Sequence, residues 1–222
     1  MTLTTRKIVA GVITAALVFL AYYGTYLPYH KSKVFIATIR GMGGARSVEE
    51  FKKLFSIPLD ITSPIGQEEL VRNMASEVTG FIGRGTTSPE IEEDLTKFVE
   101  GYFSPFIERG KGMSFGQDLY ILGTLQRIVY QHSKNAEHLT AAGRYFAKGL
   151  ELGPRRPQFL YGLLDVSILE GNRERVVRLA EQIHAQWPGD ARVNELLKVL
   201  AGTSSPTPTS TKNTVPAPKP KQ

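Results

Sequence analysis

The pentapeptide Gly112-Met113-Ser114-Phe115-Gly116 has the G-x-S-x-G pattern of a nucleophile elbow, in which a serine attacks an acyl carbon. That serine needs a strained turn between a β-strand and an α-helix. Here both flanks are patterned as helices, and no downstream pairing of aspartate and histidine stands out. The sequence therefore favours a glycine-rich connection between two helices, with hydrolysis at Ser114 as the alternative.

Residue types that bind metals or cofactors are sparse in this chain. It has no cysteine, which excludes a thiolate nucleophile, a disulfide framework and a cysteine metal site. Four histidines are present, but they form no ligand pair such as H-E-x-x-H; they are His30, His132, His138 and His184. The sequence therefore predicts no metal, no cofactor and no catalytic apparatus.

The positive charge of the chain lies outside the part that is patterned to fold. The formal net charge is +6, yet residues 47–201 contain 18 lysines and arginines and all 21 aspartates and glutamates, a balance of −3. A nucleic-acid partner is not expected, because its binding needs a basic surface on the folded domain. The surplus flanks an apolar segment or lies in the tail: Arg6, Lys7, Lys31, Lys33, Arg40, Arg46, Lys212, Lys219 and Lys221.

An uncharged segment near the N-terminus is long enough to cross a lipid bilayer. Residues 8–27 read IVAGVITAALVFLAYYGTYL, and a helix of about 20 residues spans the hydrocarbon core. Tyr22, Tyr23 and Tyr26 gather at its end, where aromatic rings favour the headgroup layer, and Pro28 marks the expected exit. We therefore predict a short N-terminal tail over residues 1–7, a transmembrane helix over residues 8–28 and a juxtamembrane linker over residues 29–46.

A cleaved signal peptide is the alternative interpretation, because Arg6 and Lys7 precede the apolar run as an n-region would. Cleavage needs small residues, and the tyrosines after Ala21 break the Ala-x-Ala pattern. A retained, single-pass membrane anchor is therefore favoured. Basic residues are nearly balanced on its two sides, so the positive-inside rule gives no orientation.

Local start signals predict several helices after the linker. They are the capping box Ser47 with Glu50, and the N-cap pairs Ser63 with Pro64 and Ser88 with Pro89. Pro105 is expected to kink or interrupt the third of these helices. Residues 47–114 are thus predicted to be a helical region whose helices could be divergent repeats.

A repeated pattern occupies the part of the chain that follows. Ala142, Phe146 and Pro154 fit the A-x3-F…P pattern of the tetratricopeptide repeat, and Pro188 follows Pro154 by 34 residues, the period of this repeat. Each unit is a helical hairpin whose apolar face only the next hairpin can cover, so hairpins stack.

The predicted fold is therefore all-α: a single N-terminal transmembrane helix, then an α-solenoid of tetratricopeptide-like helical hairpins over residues 115–201. The composition changes at the C-terminal end. Residues 202–222 are rich in proline, threonine, serine and lysine, too polar to bury a core, and are predicted to be a disordered tail.

Three stretches of the chain carry a resemblance to a known family. They read YYGTYLPYHKSK at residues 22–33, FKKLFSIPLDITSPIGQEELVRNM at residues 51–74 and YFAKGLELGPRRPQFLYGLLDVSILEGN at residues 145–172. In this order they are similar to the last span and repeats of bacterial O-antigen ligase-type membrane proteins. The resemblance implies a role in cell-envelope glycan assembly at the cytoplasmic (inner) membrane, with the helical domain outside the cytoplasm. The family's multi-span catalytic core has no counterpart here, so no catalytic residue is carried over.

Stacked hairpins present the first helix of each pair to a groove that holds a protein or peptide. In the repeat register, the side chains expected to line this groove are Arg127, Gln131, Gln158, Tyr161 and Asp165. We therefore expect a membrane-anchored interaction module that docks a partner protein. The alternative is an accessory tail or fragment of an O-antigen ligase-type transferase.

Overall fold

The computed structural model describes residues 2–42 and 47–202, and every regular element in these ranges is helical, which confirms the all-α prediction. In chain order the elements are α1 (Leu3–Ala21), a π-helical turn (Tyr22–Tyr26), α2 (Leu27–Gly41), α3 (Val48–Leu59), α4 (Gln67–Ile82), α5 (Pro89–Arg109), α6 (Phe115–Ser133), α7 (Ala136–Leu152), α8 (Pro157–Leu169), α9 (Arg173–Gln186) and α10 (Ala191–Gly202). Apart from Gly202, the tail predicted to be disordered lies outside the described residues.

The first three elements form one continuous helix, Leu3–Gly41, of 39 residues. Within the described ranges it is the one helix long and apolar enough to cross a membrane, and its apolar window is not buried inside the protein. By length and composition it fits a membrane span, and a signal sequence near the N-terminus would meet the same criteria.

The long helix does not end at Pro28, as the sequence suggests, but continues through it to Gly41. The Leu27 N–H bonds to the Tyr22 carbonyl five residues back, which widens the helix just before the proline. This wider turn accommodates a ring that would otherwise clash with the carbonyl four residues back. Residues 29–41 of the predicted linker are therefore helical, and residues 43–46 lie outside the described part.

A buried lysine fixes this long helix to the helical domain. Lys31 is 2% exposed, and its ammonium donates hydrogen bonds to the carbonyl of Leu59 at 3.4 Å, the carbonyl of Ile61 at 2.5 Å and Oε1 of Gln67. Leu59 is the last residue of α3, where free carbonyls make the potential negative. The cation therefore joins α2 to the end of α3 and the start of α4.

Two of the predicted helix starts are confirmed and one is wrong. The Ser47 hydroxyl accepts the Glu50 N–H at 3.1 Å, and Ser88 precedes the helix that begins at Pro89. The Ser63 and Pro64 start is wrong, because α4 begins at Gln67, after Gly66 with φ +90°. Ser63 instead donates to the Ile65 carbonyl at 2.9 Å, which closes a turn. Pro105 does not interrupt α5, which continues to Arg109.

Each helix from α2 to α10 packs against the next one along the chain, and contacts also join α3 to α5, α4 to α6 and α6 to α8. Connections from α4 onward are short, so neighbouring helices are antiparallel, and α4, α6, α8 and α10 run in one direction. Buried side chains form two cores that share α6.

Close approaches between aromatic rings and glycines hold α6, α7 and α8 together. A Cβ on Gly123 of α6 would lie 2.6 Å from the Phe146 ring of α7, and one on Gly162 of α8 would lie 2.7 Å from it. Gly149 of α7 would similarly meet Phe159 of α8 at 2.1 Å. The starts of α8 and α10, and the ends of α7 and α9, are each 34 residues apart.

Candidate partner-binding surface

The five side chains predicted to contact a partner lie on two neighbouring helices. Arg127 and Gln131 are about one turn apart on α6, and Gln158, Tyr161 and Asp165 follow at helical spacing on α8. Gln131 is exposed and the other four are half-buried. Because α6 and α8 are in contact and run in the same direction, the two sets belong to adjacent, parallel rows.

The first turn of α10 and the residue before it extend this surface through Tyr161 and Asp165. The Tyr161 hydroxyl donates a hydrogen bond to Asp190, and Arg192 forms an ion pair with Asp165. The Arg192 guanidinium also lies 5.8 Å from the centre of the Tyr161 ring, at the distance of a cation–π contact. The structure therefore brings Tyr161 and Asp165 into one polar network with α10.

Electrostatics strengthen this network at neutral pH. Burial and the hydrogen bond to Asp190 raise the pKa of Tyr161 to about 12, so its hydroxyl stays protonated and donates. The hydrogen bond from Tyr161 in turn lowers the pKa of Asp190, which stays ionised. Donor and acceptor are therefore both in the state that favours the bond.

Asp190 and Arg192 were not among the residues predicted from sequence. The repeat register contains a signal for one of them, because Arg192 follows Gln158 by one 34-residue period and so takes its place on the next parallel helix. We call the set Arg127, Gln131, Gln158, Tyr161, Asp165 and Arg192 the α6–α8–α10 surface. In the part of the chain that the structure describes, Arg127, Gln131 and Gln158 form no side-chain hydrogen bond or ion pair.

A shallow cleft of about 540 Å³ opens beside Tyr161, between the start of α8 and the turn from α9 to α10. Pro157, Trp187 and Pro188 are among its walls, and Trp187, the single tryptophan of the chain, is half-buried. Tryptophan and tyrosine are among the residues that contribute most to the binding free energy of protein interfaces. The cleft therefore adds an apolar anchor point to the polar surface.

Two glutamates of α5, one buried and one partly exposed, join this helix to α6 and α7. Glu92 is fully buried and lies 2.8 Å from Nδ1 of His132, and its Oε1 accepts a hydrogen bond from Thr87 at 2.7 Å. His138 is held by Glu93 at 3.0 Å and by Gln126 at 2.6 Å. No sequence pattern indicates these pairs, and their contacts link α5 to α6 and α7.

A second buried carboxylate lies where the ends of α4, α5 and α6 meet. Asp118 is fully buried, 3.6 Å from the Arg72 guanidinium, and its oxygens accept no hydrogen bond from the described residues. Glu68 lies 3.6 Å from the same guanidinium and 2.9 Å from that of Arg109. Burial, with the Glu68 carboxylate beside it, raises the pKa of Asp118 to about 7.

Ser114 lies between two helices rather than on a strand-to-helix turn. It is the half-buried residue before α6, and its carbonyl accepts the N–H groups of Gln117 at 2.7 Å and Asp118 at 3.1 Å. Within residues 2–42 and 47–202, no histidine is in hydrogen-bond contact with Ser114. The geometry is that of a helix start, and it lacks the strained elbow that activates a serine.

Comparisons with known proteins give no guide to the function of this chain. No family model, no curated protein and no solved structure matches it. Among the described residues, no group of three or more histidine, aspartate or glutamate side chains is placed to hold a metal ion. The two features of this chain that bear on its function are therefore the α6–α8–α10 surface and the long apolar helix.

Proposed function

We propose that this chain is a membrane-anchored interaction module of the tetratricopeptide type that docks a partner protein on the α6–α8–α10 surface. The observation that supports it most is that Tyr161, Asp165 and Arg192 form one polar network beside the cleft that contains the half-buried Trp187. Arg127, Gln131 and Gln158, on α6 and α8, have no side-chain partner within the described residues. Parallel helices that each add a row of side chains make an extended surface suited to a peptide or a helix.

The chemistry of this surface favours a segment with both polar and apolar side chains. Arg127 offers a guanidinium, which can form bidentate hydrogen bonds with a carboxylate. Gln131 and Gln158 each offer an amide donor and an amide acceptor for a peptide backbone. Trp187 and Pro157 offer an apolar contact in the cleft beside Tyr161. Anchoring the module to a bilayer through residues 8–28 confines it to two dimensions, which raises its effective concentration near a membrane partner.

Site-specific crosslinking in native membranes tests this proposal. A photoreactive amino acid at Gln131 and, separately, at Gln158 is expected to capture the same protein. The matched control is Gln182, an exposed glutamine on α9 that is outside the surface. Capture of that protein is expected to fall when Arg127 is replaced by glutamate. Equal capture from Gln182, or none from either surface position, would overturn the proposal.

We place this module in bacterial cell-envelope glycan assembly. Support comes from the resemblance of residues 22–33, 51–74 and 145–172 to the ends of O-antigen ligase-type proteins. The alternative, an accessory tail or fragment of such a transferase, is favoured by the unbroken helix that joins the apolar segment to the domain. Co-purification of this chain with a multi-span ligase core would support that alternative. The alternative is excluded if no such core co-purifies and the crosslinks identify a different protein.

The helical domain is proposed to lie outside the cytoplasm, because the resembling ligases act on that side of the inner membrane. Protease added to intact cells, after outer-membrane permeabilisation, is expected to remove the C-terminal tail, whereas the tail in inverted vesicles resists digestion. The opposite pattern would place the domain in the cytoplasm and remove the glycan-assembly setting.

A further inference from the structure

A second cleft, of about 760 Å³, lies between α3, α4 and the start of α5, away from the α6–α8–α10 surface. Its apolar lining includes Val48, Phe51, Phe81 and Ile91, and the rings of Phe51 and Phe81 are stacked, 19° from parallel with centres 6.4 Å apart. Both rings are only partly buried. A cleft of this volume with aromatic walls is large enough to take several side chains of a peptide.

The lining of this cleft is acidic. Of the described residues, Glu49, Glu77, Glu90 and Asp94 line it, and Arg84 is the one cation in that lining. Asp94 is paired with Lys52 at 2.6 Å, and the Arg84 guanidinium lies 5.9 Å from the centre of the Phe81 ring. The three glutamates remain as exposed negative charges around an aromatic surface. An occupant with apolar rings and positive charges is complementary to it.

The chain itself contains such a segment, in the part that lies outside the described residues. Residues 215–221 read VPAPKPK, with prolines at alternate positions and two lysines, Lys219 and Lys221. Segments rich in proline favour the polyproline II helix, which has no internal hydrogen bonds and is bound by grooves lined with aromatic side chains. Prolines would lie on the Phe51 and Phe81 rings, and the lysines would face the glutamates.

The path from α10 to the cleft is short enough for this segment to reach it. Because α4, α6, α8 and α10 are parallel, Phe81 near the end of α4 and Gly202 at the end of α10 lie at the same edge of the helix stack. His132 at the end of α6 contacts Glu92 at the start of α5, so the end of α6 lies at the same edge as the start of α5, which follows α4. Three steps between parallel helices cover roughly 30 Å, and twelve residues of polyproline II reach about 37 Å.

We propose that residues 215–221 bind in the cleft between α3, α4 and α5 of the same chain. The tail is then an intramolecular ligand, held by proline stacking on aromatic rings and by lysine contacts with Glu49, Glu77 and Glu90. Its docking covers the partly exposed rings of Phe51 and Phe81, in the cleft that Met42 at the end of the long helix also lines. It is independent of the α6–α8–α10 surface, so each can fail without the other.

Spin-label distances in the full chain in lipid nanodiscs test this proposal, and the absence of native cysteine makes labelling clean. Labels at Ala217→Cys and at Asn73→Cys, an exposed position on α4, are expected to give one narrow distance distribution. Excess unlabelled chain is expected to leave it unchanged, because the contact is within one molecule. A broad distribution, or loss of the narrow one on dilution, would overturn the proposal.

Charge reversal supplies the specific control. The pair Glu77→Lys with Glu90→Lys is expected to reduce the docked fraction several-fold, and adding Lys219→Glu with Lys221→Glu is expected to restore it. The matched pair Glu181→Lys with Glu195→Lys alters two exposed acids on α9 and α10 and is expected to have no effect. A narrow distribution that none of these changes alters would also overturn the proposed contact.

Discussion

Phe146 of α7 packs against Gly162 of α8 so closely that a Cβ on the glycine would lie 2.7 Å from the phenyl ring. The Phe146 ring is 1% exposed. A Cβ added to Gly123 of α6 would lie 2.6 Å from the same ring. One aromatic side chain therefore sets the spacing of three consecutive helices. The parallel rows of the α6–α8–α10 surface depend on this spacing.

Replacing Gly162 by alanine is expected to destabilise the fold, although alanine is the better helix former. The added methyl group must displace a buried ring that has no free space, and overpacking of this kind costs about 1–3 kcal/mol. Thermal unfolding followed by circular dichroism in detergent measures the change. In a Phe146→Leu background the same substitution is expected to cost much less, because the shorter side chain leaves room for the methyl.

Gly80→Ala is the matched control for that prediction. Gly80 is on α4, is exposed, and has no atom within 4 Å of its added Cβ. The substitution is expected to stabilise the protein by about 0.5–1 kcal/mol through helix propensity alone. If Gly162→Ala behaves like Gly80→Ala, the close approach of Phe146 does not hold the helices together.

Replacing Lys31 by methionine is expected to loosen the long helix from the domain. The methionine fills the space of the lysine stem but leaves the Ile61 carbonyl and the Gln67 side chain without their donor, at about 1–3 kcal/mol. Amide hydrogen exchange in nanodiscs is expected to rise in α2 and at the end of α3. Lys33→Met, at an exposed position of the same helix, is expected to change neither.

The helices themselves were largely predictable, because their signals are local. Capping at Ser47 involves a residue three positions away, and Pro154 and Pro188 each follow the end of a helix by two residues. The start of α4 was missed because a left-handed Gly66 competes with a plausible serine and proline pair. The Glu92 to His132 contact joins residues 40 positions apart, and no local pattern indicates which histidine a buried glutamate meets.

The candidate surface was predictable only in part, for the same reason. The apolar spacing along the sequence predicts the helix on which Gln158 and Tyr161 lie, but the partners of Tyr161 are Asp190 and Arg192, at the start of α10. Lys31 shows the limit most clearly. In the sequence it is one of several basic residues beside an apolar run, whereas its burial depends on how α2 meets α3 and α4.

Stability is expected to depend on pH through Asp118. Its folded pKa, about 7, lies above the ordinary value near 4, so the folded state binds the proton more tightly than the unfolded chain. Lowering the pH from 8 to 5 is therefore expected to stabilise the protein through this group, and raising it removes that gain. Unfolding midpoints across this range, compared between the parent chain and Asp118→Asn, isolate the contribution.

The Asp118→Asn variant is expected to be more stable than the parent chain at pH 8, by roughly 1–3 kcal/mol, because it removes a buried charge that lacks hydrogen bonds. At pH 5 the difference is expected to shrink, since the parent carboxyl is then protonated. Glu181→Gln, at an exposed position, supplies the control and is expected to leave the midpoints unchanged at both pH values. A variant less stable at pH 8 would show that the Arg72 attraction outweighs the burial of the carboxylate.

The apolar helix is expected to remain in the mature protein as a membrane anchor. The three tyrosines of the π turn, at the residues where a signal peptide would be cut, are each about half exposed, and bulky side chains obstruct cleavage there. The helix also runs unbroken from this segment to Gly41, and Lys31 holds its C-terminal part to the domain. The intact mass of the purified chain is expected to include residues 8–28, and the chain is expected to stay in the membrane pellet after extraction with alkaline carbonate.

The double substitution Tyr22→Ser with Tyr23→Ala creates an Ala-x-Ala motif that begins at Ala21. This variant is expected to be cleaved and to release a shorter, soluble product. Release of the unmodified chain would instead identify the segment as a signal sequence.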